Sequence, residues 1–332
     1  NSRGATAGVI GFWNTWPAER LDGYVVSDRF AHSNFARLTG EVPAIGITWP
    51  EELAAELGHL SLEPDAIDRA EVARWLGTFT DPEWEVMLAE DEERGNGIVN
   101  LKYGFQAQKS VAEATLHMLR TRPQPDFLAT FLELPDRVGH HFWHVVEPGR
   151  IPGGAASILD GRLQRWRNVL PGSYELVDDV IGDILALLDP DTTVIVASDH
   201  GMRSSGKVGS TPAVPLRVGR TGVHDERGIL IAAGPAIRAG ASAEEATLLD
   251  IAPTVLAAMG LPTSRQFEGR VLEEILDPAF ASRRSLEEAI DEPRLVRRDV
   301  PRPDGLDVEY LDQMKGIGYL GEDGLDDPEF GE

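Results

Sequence analysis

Apolar residues along this chain recur in two patterns, and the alternation between them predicts most of its elements. In residues 105–122, Val111, Ala114, Leu116 and Leu119 sit at helical spacing, and Pro123 and Pro125 close the segment. Residues 174–188 (YELVDDVIGDILALL) predict a strongly amphipathic helix, and residues 248–259 another, closed by Gly260 and Pro262. Short continuous apolar runs at 7–13, 126–134, 192–197 (TTVIVA) and 228–233 read as buried strands. Such strands alternating with helices argue for an α/β fold, with a central, largely parallel sheet flanked by helices.

Residues 48–100 carry a different signature. Pro50-Glu51-Glu52 and Glu63-Pro64-Asp65 are helix-start signals, and Ile67, Ala70, Val72, Trp75 and Leu76 follow at roughly helical spacing. This stretch is expected to be a helical insertion, with Glu90-Asp91-Glu92-Glu93-Arg94 as a solvated face or loop. No repeat or low-complexity linker divides the chain. One domain is therefore expected over residues 1–320, followed by an acidic tail at 321–332.

Composition narrows the functional classes. Of the 332 residues, 42% are hydrophobic and 26% charged, ordinary values for a soluble globular chain. No apolar run reaches the length of a membrane span. The sequence opens Asn1-Ser2-Arg3 rather than at a Met, so the natural start is expected upstream. A formal net charge of −24 repels nucleic-acid polymers and anionic membranes. A small anionic substrate would need local positive charge, which bound metal ions can supply. The absence of cysteine excludes disulfides, zinc–thiolate sites and thiol catalysis within these residues.

Three short segments carry candidate chemistry. In Pro135-Asp136-Arg137-Val138-Gly139-His140, a carboxylate and an imidazole are separated by three residues after a predicted strand, with Gly139 free to turn the backbone so that both reach one ion. A polar strand end with surface histidines is the alternative. In Ser198-Asp199-His200-Gly201, which follows TTVIVA, the two side chains share an ion only if the strand has already broken into a loop. A capped turn at Asp199 is the alternative there. In Gly222-Val223-His224-Asp225-Glu226-Arg227-Gly228, His224 sits in a predicted loop before a strand, as a ligand or as a solvated histidine.

The order D-x-x-G-H, then S-D-H-G, then a His before a G-x-L-I-A-x-G-P strand resembles the alkaline phosphatase superfamily, and within it the type I phosphodiesterase/nucleotide pyrophosphatase group. Thr15-Trp16-Pro17-Ala18-Glu19, Phe142-Trp143, Asp250-Ile251-Ala252-Pro253-Thr254 and Ile317-Gly318-Tyr319 add to the likeness. The resemblance implies hydrolysis of small phosphate esters with two divalent metal ions, usually zinc. Asp136, His140 and His224 would hold one ion, and Asp199 and His200 would contribute to the other. Two ions about 4 Å apart clamp the attacking and leaving oxygens of an in-line phosphoryl transfer. The resemblance also implies that the nucleophile and a further metal-binding Asp precede residue 1, so these residues alone are expected to turn over substrate poorly. Thr15 and Ser27 lie beyond the nucleophile position, and His141 and His144 match no ligand. Rival readings are a sulfatase, a phosphomonoesterase or phosphoglycerate mutase of the same superfamily, and a non-catalytic metal-binding relative.

Overall fold

The computed structural model of the protein describes residues 4–31, 46–89, 96–150, 161–205, 220–264 and 266–281. Two compact units make up these residues. The first runs to Leu187 and includes Met202–Val223, and the second comprises Leu188–Gly201 and the residues from His224. The acidic run at 90–94, the Ile317-Gly318-Tyr319 motif and the tail at 321–332 lie outside the described residues.

A four-stranded sheet in the order β3-β2-β1-β4 organises the first unit. Strand β1 (Ala7–Ile10) runs parallel to β2 (Gly23–Val26), with Val9 opposite Val25, and parallel to β4 (Phe127–Thr130), with Val9 opposite Ala129. The edge strand β3 (Thr48–Trp49) pairs antiparallel with β2, so the stretch expected to be helical from residue 48 opens with two residues of sheet. Beyond it come α1 (Leu53–Leu57), α2 (Arg69–Leu76) and α3 (Asp81–Ala89). The fold is thus mixed α/β, with a mostly parallel sheet flanked by helices.

Helix α4 (Gly97–Thr121) links the sheet to the helical layer. Its later turns place Ala107, Val111, Ala114 and Met118 in one apolar cluster with Ile10, Tyr24 and Val26 of the sheet. Its first turns add Ile98, Leu101 and Phe105 to a second cluster with Val72, Leu76 and Met87. The expected start at residue 105 is therefore too late. The Asn96 side chain caps the Ile98 amide, and Ile98, Leu101 and Phe105 extend the apolar stripe toward that cap. Buried Lys102 ties the helix to the segments before it, donating to Asp65 at 3.0 Å and to the Leu88 carbonyl at 3.2 Å.

The second cluster is completed by α5 (Leu134–Val146), α6 (Arg162–Trp166) and α7 (Val169–Leu185). The strand expected over 126–134 stops at Thr130, and α7 begins at Val169 rather than 174, with Pro171 tolerated in its first turn. In the second unit, β5 (Val194–Ala197) pairs antiparallel with β8 (Leu230–Ala233), Val196 facing Ile231. Helix α8 (Ile251–Ala258) follows a 3-10 turn in which Thr247 and Asp250 form a reciprocal capping box. Strands β6 (Gly201–Ser204) and β7 (Gly222–Asp225) form the remaining two-stranded sheet. Among the described residues, no helix is long and apolar enough to cross a membrane.

Candidate functional site

Asp136 and His140 sit on helix α5, not at a strand end. Pro135 occupies its first turn, and Leu134, Val138 and Phe142 recur every four residues as the buried stripe facing the helical core. Asp136 and His140, two residues out of phase with that stripe, share the opposite face. Gly139 does not turn the backbone, as the sequence suggested. It makes room, because a Cβ there would lie 3.0 Å from the Met202 methyl.

On this face the His140 Nε2 lies 3.4 Å from an Asp136 carboxylate oxygen. The other ring nitrogen, Nδ1, is 3.2 Å from the Gly222 carbonyl. A carbonyl only accepts, so Nδ1 carries the hydrogen and donates it. In the neutral ring, Nε2 then presents a lone pair to a carboxylate that also only accepts, and a cation or a proton satisfies both. Asp136's charge is felt around it. Burial pushes the Glu133 carboxyl above its ordinary range, Arg137 at 2.7 Å pulls it back, and Asp136 adds to the rise. Tyr174 is half exposed, and its phenol is raised by partial desolvation, with Asp136 adding to it.

The second unit repeats the device. Strand β5 ends at Ala197, and the Ser198 hydroxyl donates to the His200 carbonyl at 2.6 Å, closing a bend at Asp199. His200 Nδ1 donates to the Gly201 carbonyl at 3.0 Å, and Nε2 lies 3.7 Å from an Asp199 oxygen. The strand does break before Asp199, as ion sharing requires. Gly201 serves close approach, since a Cβ there would lie 2.4 Å from the Arg227 carbonyl oxygen. His224 is in strand β7 rather than in a loop, and its ring stacks on His200 with centroids 3.7 Å apart. The structure thus joins Asp136 with His140, and His200 with Asp199 and His224.

Other expected positions resolve into supporting contacts. His141 Nε2 meets the Asn100 amide at 3.2 Å, and His144 Nδ1 meets the His141 carbonyl and the Thr221 hydroxyl, both at 3.1 Å. The Thr15 hydroxyl donates to the Phe12 carbonyl and accepts from the Asp28 amide, while Trp16 N–H donates to the Asp28 carboxylate at 3.0 Å. Ser27 is fully buried. Thr221 is the residue that sequence reasoning passed over, because its role lies in contacts with a helix some eighty positions earlier.

A family model described as type I phosphodiesterase / nucleotide pyrophosphatase matches residues 32–248, more than half of the chain. No curated protein and no solved structure matches.

Proposed function

We propose that this chain, which belongs to the type I phosphodiesterase/nucleotide pyrophosphatase family of the alkaline phosphatase superfamily, is a zinc-dependent phosphodiesterase acting on small phosphate esters. The family is one of phosphate-ester hydrolases and typically depends on metal. In this reading Asp136, His140 and His224 hold one divalent cation, and Asp199 and His200 contribute to a second.

The observation that carries the reading is the repeated pairing of a carbonyl-anchored imidazole with a carboxylate. Metal-binding histidines almost always donate the other ring N–H to a carbonyl, carboxylate or water, which fixes the tautomer and raises ligand basicity. His140 and His200 both do so, and both turn Nε2 toward a carboxylate. All donors are nitrogen or carboxylate oxygen, a set that suits zinc.

Bound cations would supply positive charge to phosphate oxygens and to the charge that develops as the ester bond breaks. The chain's own residues supply the positioning. The Gly222 and Gly201 carbonyls hold the Nδ1 protons of His140 and His200, which keeps both Nε2 atoms available for ligation. Asp136 and Asp199 provide the negative charge that retains a dication in a site meant to receive an anion. In a protein of net charge −24, this is the local reversal of sign that a phosphate ester needs.

The test is hydrolysis, by the full-length protein, of a chromogenic aryl phosphodiester, the matching monoester and an aryl sulfate, each with zinc and with a chelator. Zinc-dependent cleavage that favours the diester and is lost in Asp136→Asn and His200→Gln supports the reading. Preference for the sulfate, or chelator-resistant hydrolysis, contradicts it.

A further inference from the structure

We infer that Thr221 and Gly222 form a two-residue clamp that positions His140, an inference that rests on His140 being a metal ligand. The two residues grip the same histidine at different points. The Thr221 N–H donates to the His140 carbonyl at 2.7 Å, holding its backbone. The Gly222 carbonyl accepts from Nδ1 at 3.2 Å, holding its ring. Together the contacts fix both the turn of α5 from which the side chain leaves and the rotation of the imidazole about its own axis.

The Thr221 hydroxyl extends the grip along the helix. It donates to the His141 carbonyl at 3.0 Å and accepts from the His144 amide at 3.3 Å. With its one hydrogen spent on His141, it also accepts from His144 Nδ1 at 3.1 Å. Thr221 therefore occupies the step between the His140 carbonyl and the His144 amide, in a position only 6% exposed. Small residues allow the approach. A Cβ on Gly222 would lie 2.2 Å from the Gly139 carbonyl oxygen, so the clamp closes only with glycine there.

A polar contact this well buried could serve stability alone, and the experiment separates that role from positioning. Thr221→Val keeps the shape and the backbone N–H but loses the hydroxyl, whereas Thr221→Ser keeps the hydroxyl. Zinc affinity is measured by competition with a chromogenic chelator, in the wild type, in both variants and in each combined with His140→Gln. Loss of a ligand's own supporting partner typically weakens metal binding by about 10–100-fold; Thr221→Val, which loosens the helix turn that presents His140, is expected at the lower end of that range, about 10-fold, with Thr221→Ser restoring most of the affinity. In the His140→Gln background Thr221→Val should change nothing further. An unchanged affinity in Thr221→Val, or an equal loss in the His140→Gln background, overturns the clamp while leaving the metal reading intact. Failure of the wild type to bind zinc overturns the metal reading, and the clamp with it. If Thr221→Val does not fold, long-range proton–nitrogen spectra of the metal-free wild type at alkaline pH decide: the hydrogen of His140 must reside on Nδ1, and its presence on Nε2 overturns the clamp.

Discussion

The rings of His200 and His224 lie face to face, 3.7 Å between centroids and 23° from parallel. A phenyl ring can fill the same stack but offers no lone pair to a metal. His224→Phe should therefore keep the thermal midpoint close to the wild type while weakening zinc binding and lowering turnover of an aryl phosphodiester. Removing a ligand forfeits several kcal/mol of charge stabilisation, on the order of 10²–10³-fold in rate. His224→Ala should lose the stack as well, a further cost of about 0.5–1.5 kcal/mol in stability. Zinc titration with thermal melts checks both, and wild-type zinc affinity in His224→Phe removes His224 from the ligand set.

Helix α7 carries two glycines with opposite expected behaviour. A Cβ on Gly172 would lie 1.6 Å from the Trp75 carbonyl oxygen of α2, whereas a Cβ on Gly182 would meet open space. Gly172→Ala should destabilise by about 1–3 kcal/mol through overpacking, or by more if α2 cannot move. Gly182→Ala should stabilise by about 0.5–1 kcal/mol, since it removes only the entropy cost of glycine in a helix. Urea unfolding of the two variants reads both signs.

Much of the scaffold was legible in the sequence because its signals are local. The strand TTVIVA and the helix in residues 174–188 declare themselves by run length and period, and both lie where those patterns put them, give or take a turn. Helix α5, which carries the candidate residues Asp136 and His140, was not legible, although its stripe of Leu134, Val138 and Phe142 was present. Gly139 and three histidines obscured it, inviting a turn where the helix only needed space for Met202. Strands β3 (TW), β6 (GMRS) and β7 (GVHD) lack the continuous apolar run that marks β5 and β8, and, like β2, are set by pairing with distant chain. Asp136, His140, Asp199, His200 and His224 could be named from motif order. The contacts of His140 to Gly222 and Thr221, and of His141 to Asn100, are tertiary and carry no sequence pattern.

Tyr24 predicts an alkaline limit to stability. Burial raises its phenol from 10.0 to about 12, and its hydroxyl has no hydrogen-bond partner among the described residues. Between those values the folded chain keeps a proton that the unfolded chain has released. The contribution is therefore whole below pH 10 and lost as pH rises toward about 12. Tyr24→Phe should flatten this decline without lowering stability at neutral pH, because it deletes an unsatisfied buried hydroxyl. Unfolding midpoints of both proteins across that range measure it, and parallel declines would contradict it.

In the reading proposed for this chain, two carbonyl-anchored imidazoles, with their carboxylates and His224, hold divalent metal. Equilibrium dialysis against zinc at neutral pH, followed by elemental analysis, tests it most directly. Two zinc ions per chain are expected, one lost in the double variant Asp136→Asn, His140→Gln, and the other in Asp199→Asn, His200→Gln. Zinc content that stays the same in both double variants, or a wild type that retains none, would contradict it.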